Sequence, residues 1–78
     1  MPIKQSTEWE VAIVERGVDP DIGEYADIDD LLFFDKKKDA VECYDQFEKD
    51  VQLWKIIWKY DPETDDAWRH KQILIDEK

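Results

Sequence analysis

Cysteine is nearly absent from this chain. Cys43 stands alone, so no internal disulfide can form, and a reducing, cytoplasmic setting is expected. Histidine occurs once, as His70, and glycine twice, as Gly17 and Gly23. That scarcity leaves no phosphate-binding glycine loop, no G-x-S-x-G elbow and no H-E-x-x-H helix, and Cys43 has no histidine at a local spacing that suggests partnership. A non-catalytic protein is therefore expected, without cofactor or dedicated metal site. No apolar run is long enough to span a bilayer, and Met1-Pro2-Ile3-Lys4-Gln5 does not open a signal peptide, so no membrane partner is expected.

Basic residues are the other shortage, and their placement matters more than their number. Asp19, Asp21, Glu24, Asp27, Asp29 and Asp30 fall within twelve residues that hold no Lys or Arg. Asp61, Glu63, Asp65 and Asp66 form a second acidic cluster, with no Lys or Arg between them in the sequence. The net charge is −10, and the acids outside these two stretches match the eleven bases, so the whole excess sits in two segments.

Aromatic residues are plentiful for 78 positions: four Trp, three Tyr and three Phe. They give a chain near the lower size limit for unassisted folding enough apolar area for one core. Val51–Tyr60 and Trp68–Ile75 are rich in β-branched and aromatic residues, and a polar breaker containing Pro62 divides them. This pattern predicts a β-hairpin over 51–75. Alternation puts Trp54, Ile56, Trp58 and Tyr60 on one face, with Leu53, Ile57 and the lysines on the other, and a register with Trp58 opposite Trp68 adds Trp68, His70 and Leu74 to the aromatic face.

Upstream, residues 1–7 read as a flexible arm, and Glu8–Arg16 alternates as a strand with Trp9, Val11 and Ile13 on one side. Pro20 and Gly23 mark turns in an acidic loop over 18–30 that Tyr25 and Ile28 anchor. Leu31–Phe34 reads as a short strand. Asp35 is then the expected N-cap of a helix over 35–49, with Ala40, Tyr44 and Phe47 on its apolar stripe. The fold predicted is a single α+β domain over 1–78: a small two-layer sandwich, mostly antiparallel, in the order β-β-α-β-β, with the helix on one face. Its core is expected to hold Trp9, Val11, Ile13, Leu32 or Phe33, Ala40, Tyr44, Phe47, Trp54, Ile56, Trp58 and Trp68.

Asp19, Asp21, Asp27 and Asp30 match positions 1, 3, 9 and 12 of a calcium loop, but glycine falls at position 5 instead of 6 and position 12 is not Glu. Direct nucleic-acid binding is opposed by the charge, since affinity for phosphates comes largely from Lys and Arg. The reverse role suits it: a carboxylate array occupying a basic groove built for phosphates. The order of elements over Leu31–Tyr60 resembles small phage-encoded inhibitors of host machinery, such as inhibitors of bacterial RNA polymerase and some anti-CRISPR proteins. The resemblance implies an inhibitor and carries over no residue. The expected partner is a basic, nucleic-acid-processing enzyme, met by Asp19, Asp21, Glu24, Tyr25, Asp27, Asp29, Asp30, Asp61, Glu63, Asp65 and Asp66. The second expectation is a structural or adaptor protein that forms a homodimer through Leu53, Ile57, Ile73 and Ile75 on an uncovered sheet face, its acids serving solubility alone.

Overall fold

The computed structural model describes residues 2–78. Four strands and one helix follow in the order β1 (Lys4–Asp19), β2 (Gly23–Phe34), α1 (Lys37–Asp45), β3 (Val51–Asp61) and β4 (Asp66–Glu77). All pairings are antiparallel, and the sheet order is β2-β1-β3-β4. The expected small, mostly antiparallel sheet with one helix is thus present, in the expected element order.

The strands are long and staggered. β1 pairs with β3 from Lys4↔Tyr60 to Ile13↔Val51 and with β2 from Trp9↔Phe34 to Asp19↔Gly23. Past Val14, only β1 and β2 continue, as a two-stranded ribbon. Two sequence expectations are corrected by this. Residues 4–7 are strand, because the far end of β3 offers them a partner; Met1 lies outside the described residues. The acidic stretch 18–30 is also strand, interrupted by a short turn at Pro20-Asp21-Ile22. In that turn Asp19 Oδ1 accepts the Asp21 N–H at 2.8 Å, Pro20 fixes its own φ, and Gly23 takes φ +87°. Leu31–Phe34 is the end of this same strand.

Helix length decides where the core lies. β2 leaves the sheet level with Trp9, and β3 re-enters level with Ile13, four residues or about 13 Å further along β1. Nine helical residues span about 13.5 Å, so α1 carries the chain back over that stretch and no further. Ala40 and Tyr44 accordingly share one buried cluster with Val11, Val51 and Leu53, edged by Trp9, Leu32, Phe34 and Phe47. The helix is shorter than the expected 35–49. Lys36, not Asp35, stands at its N-cap in extended conformation without a side-chain cap bond. Its first-turn Lys37 lies 5.5 Å from the Trp9 ring centroid, a cation–π contact available to a lysine there. No basic residue closes its last turn, but Lys78 Nζ donates to the carbonyls of Tyr44 (3.3 Å) and Phe47 (2.8 Å), giving the C-terminus its cation.

The helix-side face is not the one anticipated on β3. Val11 stands opposite Leu53 and Trp9 opposite Lys55, so Val51, Leu53 and Ile57 share the face of Trp9 and Val11. Trp54, Ile56 and Trp58 point to the other face. Leu53, expected on an uncovered dimer seam, is buried beneath the helix. The hairpin register also differs by one residue. Trp58 opposes Arg69, and Lys59 opposes Trp68, because four residues separate the closing pair Asp61↔Asp66 and Asp65 adopts a left-handed φ of 58°. Extra residues at His70 and Ile75 then bulge β4.

On the face opposite the helix, fully buried Ile56 lies among strand neighbours, and Glu10 is 5% exposed. Arg69 Nη1 stands 3.6 Å from Glu10 Oε2, and its guanidinium lies 5.3 Å from the Trp58 ring centroid. Among the described residues, no helix is long and apolar enough to cross a membrane.

Candidate functional site

The ribbon beyond Val14 concentrates the chain's unusual chemistry. Alternation along β1 puts Ile13, Glu15, Gly17 and Asp19 on the helix-side face, and antiparallel pairing adds Asp30, Asp27 and Tyr25 from β2. Glu15 and Asp27 are directly opposed. Asp29 is the extra residue of a bulge between the pairs Ile13↔Asp30 and Val14↔Ile28. The face therefore displays four carboxylates, those of Glu15, Asp19, Asp27 and Asp30, around one aromatic ring. Glu24 lies on the reverse face, and Asp21 sits in the turn.

Tyr25 is held by its neighbour across the ribbon. Gly17 stands opposite it, and a Cβ built on Gly17 falls 2.6 Å from the Tyr25 hydroxyl oxygen and 2.7 Å from its ring. The ring thus lies flat over the glycine, where any larger residue displaces it. Tyr25 is half-buried while the ribbon acids of β2 around it are exposed. Arg16, the ribbon's basic residue, points to the reverse face, and its Nε donates to Asp50 Oδ1 at 2.8 Å. Its charge is thereby tied to the root of the ribbon, and among the described residues of β1 and β2 no other cation stands between the helix-side carboxylates. The ribbon also bounds an open hollow of about 530 Å³, lined by Arg16, Gly17, Val18, Glu24, Tyr25 and Ala26 from both of its faces.

The second acidic cluster lies elsewhere. β1 runs the length of the sheet, with the 20–22 turn at one end and the 61–66 turn at the other, so about 50 Å separates them along a molecule 53 Å long. Asp19, Asp21, Glu24, Tyr25, Asp27, Asp29 and Asp30 are brought together, and Asp61, Glu63, Asp65 and Asp66 are not joined to them. Two of these turn acids have local work. Asp61 Oδ1 accepts the Glu63 N–H at 3.0 Å, and Asp65 Oδ1 accepts the Tyr60 hydroxyl at 2.6 Å. The bond to Asp65, with partial burial and the charge of Asp61, raises the Tyr60 pKa.

Sequence reasoning missed Glu15. It follows Val14 and precedes Arg16, which made the segment look neutral, yet strand alternation turns the two charges to opposite faces. The signal was available in the parity of the two positions, once the strand was continued past Gly17. Among the described residues, no group of three or more His, Cys, Asp or Glu side chains is placed to hold a metal ion. The calcium-loop positions are spread along an extended ribbon and do not converge. Comparison with family models, with curated proteins and with solved structures finds no match for this chain.

Proposed function

We propose that this is a small non-catalytic binding protein of the cytoplasm, of the phage or mobile-element inhibitor type. In this reading the acidic ribbon occupies the basic nucleic-acid-binding surface of a host enzyme. The observation that carries it is the ribbon's helix-side face, with Glu15, Asp19, Asp27 and Asp30 around Tyr25 and no base among them. Glu15 and Asp27, opposed across the strands, stand about 4.5–5.5 Å apart at Cβ, and Asp19 lies four residues, or about 13 Å, beyond Glu15 on the same strand. Held at such spacings on paired backbone, they offer a groove lined with Lys and Arg a preorganised row of anions, as a phosphate backbone does. Tyr25 supplies the apolar anchor that charge alone lacks. The 61–66 acids lie too far away to join the same contact and would address a separate one.

The test is capture from host lysate on the tagged chain, with elution by duplex DNA or structured RNA at constant ionic strength. The control bait carries Glu15→Gln, Asp19→Asn, Asp27→Asn and Asp30→Asn. A nucleic-acid-processing enzyme released by the competitor and missing from the control is the expected result. Equal capture by both baits would remove the ribbon from the function.

A further inference from the structure

The two edges of the sheet differ in what they can do to a second copy of the chain. β2 carries Glu24, Asp27, Asp29 and Asp30 without a single base, so two β2 edges repel each other. β4 is built the other way. It is twelve residues long, exposed throughout and free of proline, and among the described residues no further strand pairs with its outer edge. Trp68, Ile73, Leu74 and Ile75 on it are 38–42% exposed. A long apolar edge with unpaired backbone groups is a template for another strand.

We propose that β4 pairs with β4 of a second copy, antiparallel, around a two-fold axis at Ile73, joining two sheets into one of eight strands. The charge order along β4 selects this occupant. Basic residues Arg69, His70 and Lys71 come first, apolar Ile73, Leu74 and Ile75 next, and Asp76 and Glu77 last. Antiparallel self-pairing lays the basic end of each copy beside the acidic end of the other, and two-fold symmetry makes the contact twice. Face parity agrees. Lys71 opposes Ile57 and Asp76 opposes Leu53, so both stand on the helix-side face. The bulge at Ile75 brings Asp76 of the second copy level with Lys71, and the bulge at His70 lies outside the regular stretch Lys71–Leu74 that would pair. Arg69 is held by Glu10 within its own chain, which leaves Lys71 as the cation facing the partner.

This assignment is independent of the acidic ribbon, which lies on the opposite edge of the sheet. It is tested by sedimentation of the full chain from low micromolar to the highest soluble concentration. A species of twice 9.4 kDa is expected as concentration rises. Lys71→Glu and Asp76→Lys, each alone, set like charges against one another and should weaken the dimer by at least about tenfold. Mixed in equal amounts, the two variants restore opposite charges at both contacts and should form a heterodimer as tight as the wild-type pair. That rescue separates the proposal from misfolding of either variant. A wild-type chain that stays at 9.4 kDa overturns it, as does a dimer that both single reversals leave intact.

Discussion

One strand passes through two unlike regions of this molecule. In the first half of β1, Val11 is fully buried between the helix and the sheet; in the second half, Val18 is 75% exposed on the ribbon. The backbone pairing is of the same kind in both. What differs is the number of layers and of neighbouring strands: the centre has a strand on each side and α1 above it, while the ribbon has one partner and no cover. The centre is therefore held by burial of side chains. The ribbon is held by its ladder of hydrogen bonds, the turn at Pro20-Asp21-Ile22 and the Tyr25 ring over Gly17, while like charges oppose one another across it.

The sharpest way to break the comparison is to cut one methyl-rich side chain from each region. Ile56→Ala removes a fully buried residue from the face opposite the helix and should cost about 2–5 kcal/mol. Ile28→Ala, on the ribbon edge at 53% exposure, should stay within about 0.5 kcal/mol. Urea unfolding followed by tryptophan fluorescence measures both, with the midpoint of the first shifted and its slope unchanged. Equal losses at the two positions would mean that the ribbon carries a core of its own.

The same contrast explains what was legible in the sequence. The β3–β4 hairpin, the helix around Ala40 and Tyr44, and the first half of β1 each show an apolar period, and burial imposes that period. The ribbon buries almost nothing, so β2 shows no alternation between Gly23 and Asp30, and its acids are poor strand formers. It reads as a loop for that reason. Its turn chemistry gave the better signal. Asp19-Pro20-Asp21 and Asp61-Pro62-Glu63 are the same device, an aspartate accepting the N–H two residues on with proline between, and each sits at the tip of a hairpin. Which face α1 covers was harder. It depends on the β1–β3 register, and that register joins residues 38 to 56 positions apart.

A smaller effect probes the helix-backed centre. The Tyr44 hydroxyl is buried there with no well-formed hydrogen bond among the described residues, and burial, followed by the charge and close approach of the Asp76 carboxylate, raises its pKa above the usual phenol value. Tyr44→Phe removes an unsatisfied polar group and should stabilise the fold by about 1 kcal/mol at neutral pH. The alkaline limb gives a second readout. A pKa raised in the folded state means that folding favours the protonated phenol, so this contribution is intact below the unfolded value of about 10 and is lost as pH climbs through the folded one. Wild-type stability should fall as pH rises from about 10 towards the folded value, and more steeply than that of the variant, which retains only the raised phenol of half-buried Tyr60. A variant less stable than wild type at neutral pH would show that the hydroxyl has a partner in solution.

The finest test concerns the ribbon alone. Glu15 and Asp27 face each other across the strands, and like charges in that position oppose pairing. Asp27→Asn keeps the shape and removes one of them, for an expected gain of about 0.2–1 kcal/mol in local stability. Amide exchange along the ribbon should slow by about 1.4- to 5-fold, while exchange in β3 stays as it was. The gain should shrink in high salt, because both groups are exposed and screened. If the same substitution also weakens capture of a basic partner, the carboxylate is retained at the expense of the ribbon's own stability, which is the pattern expected of a binding surface. If stability rises and capture is unchanged, Asp27 is one acid among many on a solvated strand, and the ribbon's binding face must be sought around Asp19 and Glu24.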